Sequence, residues 1–152
     1  MRVGINGMGR IGRLALRAAL GAAHRPGDDP RAGHRLEVVH LNELKGGAAA
    51  TAHLLAFDSV QGRWRERIEA EGEAAIALGD RRLGFSSHTS PGEIPWGDLG
   101  VDLVLECTGK FLAPETIRGH LDRGAQRVIV AAPVKTGGVL NVVVGVNEHL
   151  YD

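Results

Sequence analysis

A glycine-rich turn near the amino terminus constrains the fold of this chain more than any other feature. Residues 2–5 form a short apolar run that predicts a buried strand, and residues 10–20 have the apolar periodicity of a helix. Between them lies the pattern G-x-G-x-x-G, carried by Gly7, Gly9 and Gly12. A strand, this pattern and a helix in register predict a turn whose N–H groups, at the positive end of the helix dipole, bind the phosphates of a nucleotide.

Each glycine of the turn has its own expected role. Gly7 allows the tight turn, Gly9 lets the backbone approach a pyrophosphate without an intervening Cβ, and Gly12 lets the helix pack closely against the strand. The helix itself is predicted to bury an apolar face, with its arginines largely off that face. The residues of the predicted face are Ile11, Leu14, Ala15, Ala18 and Ala19.

Length and composition narrow the class of protein. A chain of 152 residues is long enough for one domain with a sizeable core. Its 18 basic and 18 acidic residues give a formal net charge of zero, so neither nucleic acid nor a membrane surface is an expected partner. The single cysteine, Cys107, excludes an internal disulfide and a cysteine-rich zinc site, and no metal site is predicted.

Targeting signals are absent from the sequence as it stands. No secretory leader opens the chain, and no apolar run reaches the length needed to span a membrane. A reduced, cytoplasmic setting is therefore expected.

The second predicted strand, residues 36–41, ends at Asn42 and Glu43. An acid at this strand end accepts hydrogen bonds from the adenosine ribose in dinucleotide-binding folds, so Glu43 is the candidate for that role. The acid lies further from the glycines than the usual ~20 residues. A predicted surface loop at residues 21–35, in which His24 and His34 are expected to be solvated, accounts for the excess. A solvated loop carboxylate is the alternative for Glu43.

The remaining pattern predicts an α/β fold. Short apolar segments between residues 65 and 86 predict antiparallel hairpins at one sheet edge. Longer apolar runs are typical of buried parallel strands. We therefore expect a Rossmann-type, doubly wound, mostly parallel sheet with an antiparallel excursion at one edge. The other predicted elements are helices at 48–55 and 114–123 and strands at 101–106, 127–130 and 141–146.

A second group of candidate contacts follows the strand predicted at residues 101–106. Ligands of open α/β sheets bind outside the carboxyl ends of the strands, which makes Thr108 and Gly109 candidate cofactor contacts. Cys107, at the same strand end, is expected to be a small buried residue and not a nucleophile.

Several stretches, spread over almost the whole chain and in the same order, resemble the glyceraldehyde-3-phosphate dehydrogenase family. The resemblance implies an NAD-binding domain over residues 1–152, with NAD favoured over NADP. It implies that Asn6, Gly7, Gly9, Arg10, Ile11 and Gly12 surround the pyrophosphate and that Glu43 holds the adenosine ribose. The matching stretches are VGINGMGRIGR (3–13), FDSVQGR (57–63), PWGDLGVD (95–102), ECTG (106–109) and GVN (145–147) with YD (151–152).

The sequence also departs from the family's pattern. Glu43 stands where the family commonly has Asp, and Thr89 where it often has an Arg near the adenine. Ala131 replaces a Ser or Thr near the nicotinamide, so only its backbone can make contact there. Residues 42–47 and 52–55 resemble the branch of the family associated with arsenate resistance.

The family's catalytic residues are not found in this sequence. The resemblance implies a nucleophilic cysteine in a Ser-Cys-Thr-Thr-Asn run shortly after residue 152 and a histidine base in a second domain. In the full enzyme the cysteine would form a thiohemiacetal, hydride would pass to the nicotinamide, and phosphate would release the acyl group. We therefore expect no catalytic residue here, a carboxy-terminal catalytic domain outside this chain, and a phosphorylated aldehyde bound only with that domain. A full-length relative is expected to be a homotetramer.

Three functions stay open on the sequence. The first is the NAD-binding half of a phosphorylating aldehyde dehydrogenase, inactive by itself. The second is a stand-alone nucleotide-binding module without catalysis. The third is a fragment of the related erythrose-4-phosphate dehydrogenase.

Overall fold

The computed structural model describes residues 1–21, 36–135 and 137–151. The loop predicted at residues 21–35, with His24 and His34, lies outside the described residues except for Gly21. The helices are α1 (Arg10–Gly21), α2 (Gly47–Ala56) and α3 (Pro114–Asp122), with short 3-10 helices at Pro91–Glu93 and Glu148–Leu150. The strands are β1 (Arg2–Asn6), β2 (Glu37–Asn42), β3 (Phe57–Asp58), β4 (Gly62–Arg63), β5 (Ile68–Ala70), β6 (Ala75–Leu78), β7 (Arg81–Ser86), β8 (Leu103–Glu106) and β9 (Arg127–Val130).

The main sheet has the strand order β5-β6-β7-β2-β1-β8-β9. Strands β7, β2, β1, β8 and β9 run parallel to one another, and β5 and β6 add an antiparallel edge. The expected fold class is confirmed. Within it, β7 was assigned to the antiparallel excursion, but it also pairs in parallel with β2, with Leu41 opposite Phe85. Since the chain leaves β1 toward β2 on one side and β8 lies on the other, the strand order reverses at β1, where open α/β sheets bind ligands.

The core has two parts. The larger cluster packs α1 and α2 against the sheet and includes Ile5, Leu16 and Leu55, all 0% exposed. The second cluster lies around Trp96, which is also 0% exposed and packs with Val104 of β8. Both clusters therefore hold the carboxyl ends of β1 and β8 in fixed positions.

The buried face of α1 differs from the predicted one. The helix buries Gly12, Leu16 and Leu20, while Ile11 is 50% exposed and Leu14 36% exposed. Two arginines account for the difference, because their guanidinium groups find backbone acceptors on the protein. Those of Arg13 and Arg17 donate to the carbonyls of Met8 (2.9 Å), Leu55 (2.9 Å) and Gly62 (3.0 Å).

Arg17 also stacks on an aromatic ring. Its guanidinium carbon lies 4.8 Å from the centre of the Trp64 ring. A long arginine stem covers apolar surface while its charged end finds partners, so the arginine side of α1 faces the protein.

The strand predicted at residues 141–146 is not formed. Val144 is 86% exposed, and two backbone groups of this segment are bonded to an asparagine side chain instead of a neighbouring strand. Asn147 Oδ1 accepts from Val143 N–H at 2.5 Å, and Asn147 Nδ2 donates to the carbonyl of Asn141 at 2.9 Å. Local side-chain bonds of this kind compete with strand pairing. The valine run has strand-like composition, but in the described part of the chain β9 is the edge of the sheet.

Candidate functional site

A cleft of about 210 Å³ lies at the carboxyl ends of β1, β2, β7 and β8. The predicted cofactor residues that line it are Asn6, Gly7, Gly9, Glu43 and Thr108. The sequence therefore identified residues from separate parts of the chain that the fold brings to one place. The other lining residues are Asn42, Leu44, Lys45, His88, Thr89, Cys107, Lys110 and Phe111.

Two glycines of the turn are required by close backbone contacts. Gly7 has a φ of 92°, and a Cβ there would lie 2.7 Å from the backbone nitrogen of Thr108. A Cβ at Gly12 would lie 2.0 Å from the carbonyl oxygen of Gly7. Both distances are too short for a side chain, so these glycines let the turn, α1 and the end of β8 pack together. Gly12 acts through this packing and does not line the cleft.

Gly9 differs from the other two glycines because its surroundings are open. A Cβ at Gly9 would meet no heavy atom of residues 1–21, 36–135 and 137–151 within 4 Å, and the residue lines the cleft. Packing within the protein therefore does not require a glycine here. The open backbone fits the close approach of a pyrophosphate, which a side chain would prevent.

Arg10 and Ile11 begin α1 beside the turn, and both are exposed without lining the cleft. The first N–H groups of a helix lack partners within the helix and carry its positive dipole end. The contact predicted between these two residues and a pyrophosphate stays a prediction, and their backbone at the helix start is the part suited to it.

Glu43 joins the end of β2 to the glycine-rich turn. Met8 N–H donates to Glu43 Oε2 at 2.7 Å, and Lys45 N–H donates to Glu43 Oε1 at 3.0 Å. The half-buried carboxylate is thus held in the cleft rather than being free in solvent. A carboxylate has about four acceptor positions, so capacity remains for the hydroxyls of a ribose.

The carboxyl ends of β1 and β2 are joined by a pair of buried amides. Asn42 Nδ2 donates to Asn6 Oδ1 at 2.8 Å, and Asn6 Nδ2 donates to Glu106 Oε2 at 2.5 Å. Asn42 Oδ1 accepts from His88 N–H at 2.9 Å, which ties in the segment after β7. The cleft floor is therefore fixed by hydrogen bonds that cross three strands.

Two predicted contacts lie beside the cleft without lining it. Gly109 is exposed, has a φ of 69° and directly follows Thr108. Ala131 is exposed after β9, and its N–H donates to the carbonyl of Glu106 at 2.9 Å. Its backbone donor is therefore engaged within the sheet, which leaves the carbonyl as its free backbone group.

The sequence did not indicate His88, a lining residue that follows β7. Thr89, the next lining residue, was named only as the position where the family often has an Arg near the adenine, and its hydroxyl donates to the Glu93 carboxylate at 3.0 Å. The rule that ligands bind at carboxyl ends of parallel strands would have indicated these residues, had β7 been recognised as parallel. Lys110 also lines the cleft and was not predicted. It lies two residues after Thr108 at the carboxyl end of β8, where the same rule applies.

Cys107 lies in the cleft wall and is partly buried. Burial raises the pKa of its thiol to about 11, and the negative charge of Glu106 acts in the same direction. Because the thiolate is the nucleophilic form, this cysteine is unreactive at neutral pH. This agrees with its expected structural role.

The described residues offer neither a metal-binding cluster nor a membrane-spanning helix. Residues 1–21, 36–135 and 137–151 contain no group of three or more His, Cys, Asp and Glu side chains that could hold a metal ion. In the same ranges, no helix has the length and apolar character needed to cross a bilayer.

The fold and the cleft together define the class. A parallel sheet that reverses strand order at β1, a glycine-rich turn before α1 and an acid at the end of β2 are the features of a Rossmann-type dinucleotide-binding domain. Residues 1–114 match the family described as "Glyceraldehyde 3-phosphate dehydrogenase, NAD binding domain". The chain belongs to this family, and its cofactor is NAD.

Curated relatives resemble the chain over its full length. It is 56% identical over 152 residues to glyceraldehyde-3-phosphate dehydrogenase 3 of Nostoc sp., covering 100% of this chain and 41% of that protein. It is 45% identical over 152 residues to glyceraldehyde-3-phosphate dehydrogenase 1 of Streptomyces arenae, covering 100% of this chain and 42% of that protein. The chain therefore spans about two fifths of the length of these relatives. Their names do not refer to arsenate, so the arsenate branch stays a prediction.

Proposed function

We propose that residues 1–152 form the NAD-binding domain of a phosphorylating aldehyde dehydrogenase that acts on glyceraldehyde 3-phosphate. The nucleophilic cysteine and the base would be supplied by a carboxy-terminal catalytic domain outside these residues. The family match and the similarity of the whole chain to two fifths of each relative support this division.

The observation that carries the proposal is the contact between Glu43 and the turn. The carboxylate lies 2.7 Å from the Met8 nitrogen, in the cleft that Gly9 lines. One site therefore combines an open glycine for a pyrophosphate with an acid for the adenosine ribose. A stand-alone nucleotide-binding module would show the same site, but the relatives that match over the whole chain are dehydrogenases.

The pyrophosphate would lie against the turn and the start of α1. Asn6, Gly7 and Gly9 line the cleft, and the turn to which they belong leads directly into α1. The N–H groups that begin the helix at Arg10 and Ile11 favour negative charge near this point. Gly12 contributes by letting the helix approach the turn.

The far end of the cleft would hold the nicotinamide half. Thr108 lines the cleft at the end of β8, with Gly109 beside it. Ala131 has no hydroxyl, so it would contribute only a backbone carbonyl there. NAD supplies a hydride acceptor when bound, and the residues of this chain bind and orient it.

Glu43 would also favour NAD over NADP. A carboxylate that accepts ribose hydroxyls repels a 2′-phosphate. Lys45 lies in the same cleft and offers a positive charge that reduces this repulsion. The preference is therefore expected to be moderate.

The proposal also covers the substrate, the cellular compartment and the oligomeric state of the complete protein. The phosphorylated aldehyde would bind only together with the catalytic domain, and either phosphate or arsenate would accept the acyl group. The complete protein would be a cytoplasmic, glycolytic homotetramer. The names of the relatives support the substrate.

Calorimetric titration of the 152-residue chain tests the proposal. NAD should bind with a saturable heat, and NADP should bind more weakly. A chain that is folded by circular dichroism but gives no saturable heat with NAD would contradict the proposed site. Tighter binding of NADP would contradict the assigned role of Glu43.

A further inference from the structure

Glu106, at the end of β8, is a carboxylate buried directly beneath the cleft, with 1% of its surface exposed. Among the described residues its only ion-pair partner is a histidine, His120, and no lysine or arginine pairs with it. A buried charge without a cation is costly and needs hydrogen bonds to be tolerated. Those bonds come from Thr108 N–H (2.8 Å), the Thr108 hydroxyl, Asn6 Nδ2 (2.5 Å) and His120 Nε2 (3.0 Å).

Trp96 determines which nitrogen of His120 carries the hydrogen. An indole N–H can only donate, and Trp96 Nε1 lies 2.9 Å from His120 Nδ1. His120 Nδ1 must therefore accept, which places the hydrogen of the neutral ring on Nε2, facing Glu106 Oε2 at 3.0 Å. Trp96 and His120 are both 0% exposed, so water does not provide an alternative partner.

Glu106 also determines which amide atoms of Asn6 and Asn42 donate and which accept in the cleft. Because an ionised carboxylate only accepts, Asn6 must turn its NH₂ group toward Glu106 and its oxygen toward Asn42. Asn42 then presents its own oxygen to His88 N–H. The orientations of both amides and the position of the segment after β7 thus follow from one charge.

We propose that Glu106 is a positioning residue for the dinucleotide cleft, held by Trp96 and His120 so that it fixes Asn6 and Thr108 for the cofactor. This inference rests on the proposed function, in which that cleft binds NAD. Neither Trp96 nor His120 lines the cleft, so both act only through Glu106.

The charge state of Glu106 supports this role. Burial raises the pKa of its carboxyl, but hydrogen bonds from His120, Thr108 and Asn6 outweigh that effect and hold the pKa below its usual value. The titratable groups that face it are His120 on α3 and the adjacent Cys107 thiol. Glu106 is therefore ionised at neutral pH.

The first test replaces the carboxylate by its nearest isostere. In Glu106→Gln the side chain keeps its shape but has one accepting oxygen and one donating NH₂ group. Thr108 donates to one carboxylate oxygen, and Asn6 and His120 donate to the other, so the glutamine cannot accept all of these bonds. We expect the Kd for NAD in calorimetry to rise about tenfold. Glu69→Gln, an exposed control on β5, should leave the Kd unchanged.

The outcomes of this test distinguish the positioning role of Glu106 from the proposed binding of NAD by the chain. A folded Glu106→Gln chain that binds NAD within about twofold of the parent would overturn the positioning role. A parent chain that does not bind NAD would instead overturn the proposed function. Urea unfolding of each variant reports stability separately from affinity.

A second variant changes a residue that does not line the cleft, and it tests the positioning role of Glu106 if Glu106→Gln does not fold. Trp96→Phe keeps an aromatic ring in the core but removes the N–H that fixes His120. Nitrogen-15 spectra of the histidine rings should show the Nε2–H form of His120 in the parent and its loss in the variant. The variant's Kd for NAD should rise about threefold, because His120 Nδ1 loses the donor that keeps the ring hydrogen on Nε2, facing Glu106.

Two results would contradict the proposal here. One is a parent His120 that carries its hydrogen on Nδ1. The other is a folded Trp96→Phe chain with the parent's NAD affinity, because a purely structural Trp96 would change the free energy of unfolding and leave cofactor binding unaltered.

Discussion

The Glu43 carboxylate accepts a hydrogen bond of 2.7 Å from the backbone nitrogen of Met8, 35 positions earlier in the chain. This contact connects the end of β2 to the middle of the glycine-rich turn. It places the acid within the same cleft as Gly7 and Gly9. The turn proposed to bind the pyrophosphate and the acid proposed to bind the ribose are therefore held together by a hydrogen bond within the protein.

Glu43→Ala should weaken NAD binding and narrow the difference between NAD and NADP. Losing a charged hydrogen-bond acceptor for the ribose should raise the Kd for NAD about tenfold, or ~1.4 kcal/mol. The Kd for NADP should change less, because the same substitution removes a charge that repels the 2′-phosphate. Calorimetry with both cofactors measures the two values. Glu37→Ala, at the exposed start of β2, is the control, and an equal loss for both cofactors would contradict the role of Glu43 in selectivity.

His40 should make the chain less stable in mild acid. Burial and the nearby His88 lower the pKa of His40 from 6.5 to about 4, and its ring contacts Ser86 Oγ at 2.8 Å. Between pH 6.5 and about pH 4, the His40 ring therefore binds a proton in the unfolded chain but not in the folded chain. The free energy of unfolding therefore falls as the pH drops below about 6.5, by about 2 kcal/mol between pH 7 and pH 5.

Urea unfolding at several pH values measures this decline. His40→Gln should remove most of it, whereas His149→Gln, at an exposed position in the second 3-10 helix, should leave it in place. Equal slopes for the parent and His40→Gln would show that another group is responsible.

The 152-residue chain should have no dehydrogenase activity by itself. Hydride transfer from an aldehyde first requires an adduct with a nucleophile, and a base that takes its proton. The Cys107 thiol, with a pKa raised to about 11 by burial and by Glu106, does not supply that nucleophile at neutral pH. Chain, NAD, glyceraldehyde 3-phosphate and phosphate or arsenate should give no NADH absorbance above a control without protein. Turnover that disappears in Cys107→Ser would show that this cysteine is catalytic.

The residues that the sequence predicted for the site, and that the structure brings to one cleft, depend on local geometry. A strand, three glycines at fixed spacing and a helix determine the turn, and an acid at the next strand end reaches it. The contacts at Gly7 and Gly12 show why local spacing is sufficient here, since a Cβ at either would collide with backbone a short distance away. The fold class followed from the same pattern and from the apolar strands.

The incorrect predictions involve contacts between distant parts of the chain. The face of α1 was misassigned because Arg17 donates to the carbonyls of Leu55 and Gly62, which the helix sequence alone does not reveal. His88 was missed because it reaches the cleft through the parallel pairing of β7 with β2. Residues 141–146 have strand-forming composition, but the Asn147 side chain bonds the backbone of Val143 and Asn141 instead. In each of these three cases, a hydrogen bond to another part of the chain decides the structure, and the local sequence pattern does not show that bond.

NAD is proposed to bind against the open backbone of Gly9, and one substitution tests this directly. A Cβ at Gly9 and a Cβ at Gly21, at the two ends of α1, both meet no heavy atom of the described residues within 4 Å, so Gly9→Val and Gly21→Val form a matched pair. In calorimetry, Gly9→Val should raise the Kd for NAD by about a hundredfold, or ~2.7 kcal/mol, because the side chain occupies the space of the pyrophosphate. Gly21→Val should bind NAD as the parent does, and both variants should unfold cooperatively in urea. A folded Gly9→Val chain with the parent's affinity for NAD would contradict the account.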